Sequence, residues 1–151
     1  AIRRQRQMCI RDRCFICTGN TCRSFMAERI MKANLKKAGI DFVKVSSRGL
    51  NATGEMSTEN ACKALKSLGY PSTKRKSVAL KKFDQKTLYV AMTTAHKNKV
   101  AGRVIEMKDL IGREIPDPYG QDLDIYIECA KIIESACKVL TEKLIRIGGE
   151  K

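Results

Sequence analysis

No stretch of this 151-residue chain approaches the ~20 consecutive apolar residues needed to span a bilayer, and its first residues lack the apolar core, about 7 to 15 residues long, of a secretory signal. A soluble cytoplasmic protein without a membrane partner is therefore expected. No internal repeat and no low-complexity linker divides the chain, and its length suits one compact domain with a substantial core. Aromatic residues are scarce, with no tryptophan, and acidic residues are outnumbered 16 to 30 by lysine and arginine, for a net charge of +14. Such a surplus is compatible with binding nucleic-acid phosphates. No helix-turn-helix, zinc-finger spacing or aromatic stacking motif accompanies it, however, so nucleic acid is not the expected partner. Lys32, Lys36, Lys37, Lys63, Lys66, Lys81 and Lys82 read as solvated faces instead.

What is present is the run Cys17-Thr18-Gly19-Asn20-Thr21-Cys22-Arg23-Ser24. A cysteine and an arginine separated by five small or polar residues can fold around one tetrahedral oxyanion, which is the requirement of a cysteine-dependent phosphatase. The apolar Cys14-Phe15-Ile16 reads as the end of a buried strand and the residues from Ser24 onward as a helix, so the run is a strand-to-helix loop. Successive N–H groups of such a loop, with the helix N-terminus, form a concave anion site and favour a thiolate. Gly19 permits close backbone approach, and Asn20 tolerates a left-handed conformation while its amide ties the loop to itself. Arg23 can fork two hydrogen bonds onto an oxyanion, and Ser24 can donate its hydroxyl to the sulfur. Downstream, Asp117-Pro118-Tyr119-Gly120 precedes the last helix. Asp117 is placed to protonate a leaving group, Pro118 stiffens the backbone beside it, and Tyr119 can wall the pocket.

At these two motifs the chain resembles the low-molecular-weight protein tyrosine phosphatase family, from about Arg13 to the C-terminal helix. The resemblance implies Cys17 as nucleophile, Arg23 as the phosphate-binding arginine, Ser24 as thiolate stabiliser, Asn20 as the loop-orienting amide and Asp117 as general acid. It also implies that Asp117 returns as general base when water attacks the phosphocysteine. The expected substrate-binding set is Thr18, Gly19, Asn20, Thr21, Cys22, Ser24 and Tyr119, and Ser47 in Val45-Ser46-Ser47-Arg48-Gly49 resembles the serine that buttresses the loop. Cys22 matches a loop cysteine that in this family can form a reversible disulfide with the nucleophile. The wording of the loop is most similar to a bacterial branch that includes protein arginine phosphatases. There Thr21 stands where tyrosine phosphatases often carry a bulky aliphatic residue, offering polarity and room to a guanidinium. Phosphoarginine in proteins is thus the expected substrate, with phosphotyrosine the alternative, and the positive surplus can steer anionic phosphoproteins to the site. No metal or organic cofactor is implied, and the oligomeric state is left open.

Three features depart from the family pattern. Phe25 stands where a proline usually follows Arg-Ser, which removes a fixed φ from the first helical turn. The segment Ser72-Thr73-Lys74-Arg75-Lys76-Ser77 lacks the histidine that commonly serves as a second buttress, and the single histidine, His96, reads as a surface residue. Residues 1–12, arginine-rich and without an apolar run, read as a non-native or disordered extension, with the phosphatase domain spanning 13–151.

Strands alternating with helices argue for an α/β fold, and the resemblance implies an open four-stranded parallel sheet with helices on both faces. An amphipathic helix carries Ala27, Ile30, Met31, Leu35 and Ala38, with Glu28, Arg29, Lys32 and Lys36 opposite, up to Gly39. Strands are expected at 42–45, 87–92 and 104–107, and helices at 57–68, from about 94, and at 123–147. The last helix places Ile125, Cys129, Ile132, Ile133, Ala136 and Leu140 on one stripe, which makes Cys129 and Cys137 core residues.

Two other chemistries fit the cysteines less well. Cys9, Cys14 and Cys17 match the C-x4-C-x2-C spacing of an iron-sulfur protein, with Cys62 as a distant fourth ligand, but Phe15-Ile16 point to a strand. Arsenate reductase needs a mobile cysteine relay, and residues 71–100 contain no cysteine. The odd count of seven, scattered over strands, loops and helices, also argues against a secreted disulfide framework.

Overall fold

The computed structural model describes residues 11–149, so most of the 1–12 extension, and Cys9 with it, lies outside the described residues. Four parallel strands, β1 (Asp12–Cys17), β2 (Val45–Gly49), β3 (Thr87–Ala91) and β4 (Val104–Glu106), form one sheet in the order β2-β1-β3-β4. Among the described residues, five helices connect or follow them: α1 (Arg23–Lys37), α2 (Glu59–Ser67), α3 (Thr94–Lys97), α4 (Met107–Ile111) and α5 (Leu123–Gly149).

β1 lies inside the sheet, pairing with β2 over Arg13–Cys17 and with β3 over Asp12–Ile16. Its side chains alternate between two cores, as a pleated strand requires. Phe15 and Cys17 face the larger core, built with Phe25, Ile30 and Met31 of α1, Leu65 of α2, Met107 of α4 and Ile133, Cys137 and Leu140 of α5. Cys14 and Ile16 face a smaller one with Tyr89, closed by Leu50, Leu80, Val100 and Val104. Helices therefore cover the sheet unequally, four on the first face and the short α3, which leads into Val100, near the second. Arg13 is buried within β1, and its guanidinium bonds the Arg11 carbonyl at 3.1 Å.

Several boundaries differ from expectation. The second strand begins at Val45, where the first Cα partner on β1 is Arg13; Val43 instead packs as loop against the large core. β4 stops at Glu106 and a helical turn, α4, starts at Met107 with a capping box between Glu106 and Asp109. α2 starts two residues late because Thr58 is its N-cap, its hydroxyl accepting the Ala61 N–H. At the start of α5 the inward position belongs to Tyr126, while Ile125 is exposed. Phe25, the residue in place of proline, is wholly buried with the Arg29 guanidinium 5.3 Å from its ring centroid, so the first turn of α1 is held by packing rather than by a fixed φ.

The carboxyl ends of β1 and β2 meet closely at the loop 18–22. Leu50 N–H donates to Cys17 O and Asn51 N–H to Thr18 O, both at 2.9 Å, while Gly49 leaves no room for a side chain. A Cβ at Gly49 would lie 2.7 Å from Thr18 O and 2.9 Å from Ala52 Cβ. Gly49→Ala is therefore expected to push on the loop backbone and destabilise the fold by about 1–3 kcal/mol in urea unfolding. A midpoint equal to that of the parent chain would contradict this close approach.

Candidate active site

Cys17 ends β1 and Arg23 begins α1, so the five residues between them must reverse the chain within one tight loop. Asn20 makes that possible: it sits at φ 59°, in the left-handed region that asparagine tolerates better than most residues. Its backbone N–H then reaches Cys17 Sγ at 3.3 Å. Its side-chain amide donates to Ser24 Oγ at 2.8 Å and to Ser47 Oγ at 2.9 Å, and its Oδ1 accepts the Val78 N–H at 3.0 Å. Because Ser24 Oγ accepts from Asn20, its own hydroxyl hydrogen is available for Cys17 Sγ, 2.9 Å away.

Behind Asn20 stands a charged support that sequence reasoning missed. Ser47 Oγ donates to Glu28 Oε1 at 2.8 Å, and Arg75 Nη2 donates to the same carboxylate oxygen at 2.9 Å and also bonds Ser47 Oγ. Lys32 Nζ holds the other oxygen at 3.0 Å. Glu28, expected on a solvated face, is buried, and Arg75 comes from the segment that lacks the family's histidine. Burial alone would push the Glu28 carboxyl up, but the Ser47 hydrogen bond, Arg75 and Lys32 outweigh it and hold the carboxyl below its ordinary value.

The loop lines a cavity of about 220 Å³ together with Glu55, Asp117 and Tyr119. Thr18, Gly19, Asn20, Thr21, Cys22 and Arg23 all contribute to its wall, whereas Ser24 is fully buried behind the sulfur and does not. Arg23 is buried, with Nη1 donating to Ile115 O at 3.1 Å and Nη2 3.6 Å from Asp117 Oδ2. The Asp117 side chain is 58% exposed, and its Oδ1 accepts the Tyr119 N–H at 3.1 Å, the turn geometry expected of Asp-Pro. Tyr119 stands 63% exposed at the rim. One cavity thus holds a buried thiol, a guanidinium and a solvent-reaching carboxylic acid.

Two side chains outside the expected set brace this loop. Cys22 Sγ lies 3.3 Å from Tyr126 Oη of α5 and 3.5 Å from Thr58 Oγ1. Burial, then the bond to Cys22, pushes the Tyr126 phenol up, so it stays protonated and can donate. His96 is buried rather than a surface residue, because α3 starts directly after β3 and turns its third residue inward. Its Nε2 lies 2.9 Å from Thr18 Oγ1 and its Nδ1 3.0 Å from Thr93 Oγ1. Burial, then Arg23 and Lys99, push its pKa down to about 4 against the pull of Asp117 and Glu114.

Among the described residues, the remaining cysteines offer no rival centre. Cys14 and Cys17 project to opposite faces of β1 and cannot share an iron-sulfur cluster. Burial pushes the Cys129 thiol up to about 12, and Cys14 and Cys137 are raised for the same reason. A larger groove of about 670 Å³ opens where Cys14 and Tyr89 lie, but its thiol is the raised one and no arginine loop surrounds it. All described cysteines, Cys17 and Cys22 included, are free thiols.

Comparison with known proteins agrees with this fold. Residues 12–148 match the family model of the low molecular weight phosphotyrosine protein phosphatases. A protein-arginine-phosphatase of Geobacillus stearothermophilus is 32% identical over 142 residues, covering 86% of this chain and 93% of that protein. The low molecular weight protein-tyrosine phosphatase A of Mycobacterium tuberculosis is 31% identical, covering 89% and 94%. Among solved structures, the YwlE arginine phosphatase, in a mutant with a phosphorylated active-site serine, superposes with a TM-score of 0.79 at 30% identity and covers 88% of this chain and 95% of its own.

The buried carboxylate gives the fold a definite pH response. A depressed carboxyl pKa stabilises the folded state above the unfolded value, about 4.3, and that contribution is lost as pH falls through the folded value. Urea midpoints are therefore expected to drop as pH is lowered below about 4.3. Glu28→Gln should shallow that drop while costing about 1.5–3 kcal/mol at pH 7, since it removes charge-assisted hydrogen bonds. An unchanged pH profile in Glu28→Gln would contradict the buried network.

Proposed function

Because the chain belongs to the low molecular weight phosphotyrosine protein phosphatase family, we propose that it uses Cys17, Arg23 and Asp117 to hydrolyse phosphoarginine in proteins through a phosphocysteine. The Cys17 thiolate attacks phosphorus, an S–P bond forms, and the bond from phosphorus to the leaving group breaks. Asp117 gives its proton to the departing side chain. Arg23, anchored on the Ile115 carbonyl, and the N–H groups of residues 18–23 take up the charge on the equatorial oxygens. Water then attacks the phosphocysteine and loses its proton to Asp117. The S–P bond breaks, inorganic phosphate leaves and the thiolate returns. Ser24 favours that thiolate from behind, and Asn20 and Ser47 keep the loop in shape.

The observation that carries the choice of phosphoarginine is the polar wall of the cavity. Glu55 presents a carboxylate, Asp117 the carbonyl oxygen of its acid and Thr21 a hydroxyl around the cavity, which suits the N–H groups of a guanidinium. Thr21 leaves the room that a bulky aliphatic residue would fill. The second reading, phosphotyrosine, is favoured by Tyr119, an aromatic side chain standing at the rim. The arginine-phosphatase relatives of bacteria support the first reading, and a reducing bacterial cytoplasm would keep Cys17 and Cys22 as thiols. The net charge of +14 suits phosphorylated protein substrates.

Metal-free turnover of matched phosphoarginine and phosphotyrosine peptides tests the reading. Faster hydrolysis of phosphoarginine is expected, with no turnover by Cys17→Ser and roughly 10²- to 10⁴-fold lower kcat for Asp117→Asn. Thr21→Ile is expected to lower kcat/KM for phosphoarginine more than for phosphotyrosine. Equal or better turnover of phosphotyrosine by the parent chain would overturn the substrate, and an active Cys17→Ser would overturn the mechanism.

A further inference from the structure

We infer that His96 is a positioning residue of the phosphate loop, acting through Thr18 by a hydrogen bond donated from its Nε2 to Thr18 Oγ1. The neighbours of the ring allow that direction. Thr93 Oγ1 accepts the His96 backbone N–H at 3.3 Å and lies 3.0 Å from Nδ1, and in the inferred arrangement its hydroxyl hydrogen is turned to Nδ1. Nδ1 is then the acceptor of the ring, and Nε2 carries the hydrogen that points at Thr18 Oγ1, 2.9 Å away. Burial first, then Arg23 and Lys99, against the opposing pull of Asp117 and Glu114, leave the imidazole neutral at working pH, with one ring hydrogen and one ring lone pair.

Thr18 is the first residue after Cys17, and it is held twice, by His96 at the side chain and by Asn51 N–H at its carbonyl. Asn20 and Ser47 brace the far side of the loop; His96 braces the near side. A hydroxyl that accepts from His96 also keeps its own hydrogen for the cavity that Thr18 lines. Release of Thr18 would let the N–H groups after Cys17 splay, weakening their convergence on an oxyanion. The inference rests on the reading of residues 17–23 as a phosphate site.

Inorganic phosphate is the probe, because its affinity reports the loop without requiring turnover. His96→Ala and His96→Asn are expected to weaken phosphate binding about tenfold, the worth of one good hydrogen bond. His96→Gln, whose amide nitrogen can occupy the place of Nε2, should stay within about threefold of the parent. With Thr18→Val already in place, His96→Asn should add little, as coupling through one bond demands. The ¹⁵N shifts of His96 in the parent chain should show the Nε2–H tautomer across pH 5.5 to 8, a readout that survives if His96→Ala does not fold. Equal affinities for the Asn and Gln variants, additive losses with Thr18→Val, or an Nδ1–H tautomer would each overturn the inference. A parent chain that binds phosphate but turns over neither phosphopeptide would contradict the proposed function and leave this test intact. A parent chain that binds no phosphate would overturn both.

Discussion

The left-handed backbone of Asn20 is the constraint on which the site depends. A loop that leaves β1 at Cys17 and enters α1 at Arg23 can wrap an oxyanion only if one residue between them reverses, and that residue is at φ 59°. A non-glycine residue there carries a conformational cost. Asn20 offsets it with a side chain whose two donor hydrogens and one oxygen all have partners: Ser24, Ser47 and the Val78 N–H. Conformation and hydrogen bonding are thus one device. The same amide that makes the turn tolerable also orients Ser24 toward the sulfur.

From that residue the support spreads outward in chemically distinct layers. The polar layer ends in the Glu28–Arg75 pair, buried deeply enough that its carboxylate needs Ser47, Arg75 and Lys32 to remain ionised. The backbone layer is the pair of bonds from Leu50 and Asn51 to Cys17 and Thr18, which ties the loop to the end of β2. The third layer, Tyr126 on Cys22 and His96 on Thr18, links the loop to α5 and α3. Each comes from a different element of the sheet-and-helix frame, so the frame as a whole, rather than the loop alone, sets the shape of the anion site. Arg23 and Asp117 reach the cavity beside the loop, one clamped to the Ile115 carbonyl and the other open to solvent.

Much of this was legible in the sequence because the loop is contiguous. Cys17, Asn20, Arg23 and Ser24 sit in one run, and Asp117 announces itself by a turn signal. The parallel α/β fold follows from apolar runs alternating with amphipathic ones. Glu28, Arg75, His96 and Tyr126 were not legible for a common reason. Each acts across the fold, and in local pattern each looks ordinary: Glu28 sits among charged helical residues, Arg75 in a basic stretch, His96 alone, and Tyr126 beside the more apolar Ile125. Burial of a charge is decided by partners distant in sequence, 47 residues apart for Glu28 and Arg75. Strand limits such as Val45 were set likewise, by where β1 offers a partner rather than by the apolarity of Phe42-Val43.

The central claim is that the oriented sulfur of Cys17 takes the phosphoryl group. Acid quenching during turnover of a phosphoarginine peptide, followed by peptide mapping under acidic conditions, tests it directly. The account predicts a transient mass gain of one phosphoryl group on the peptide that contains Cys17, absent from Cys17→Ala treated in parallel with the same substrate over the same interval. Turnover with no phosphorylated enzyme peptide, or with the phosphoryl group on another residue, would contradict it.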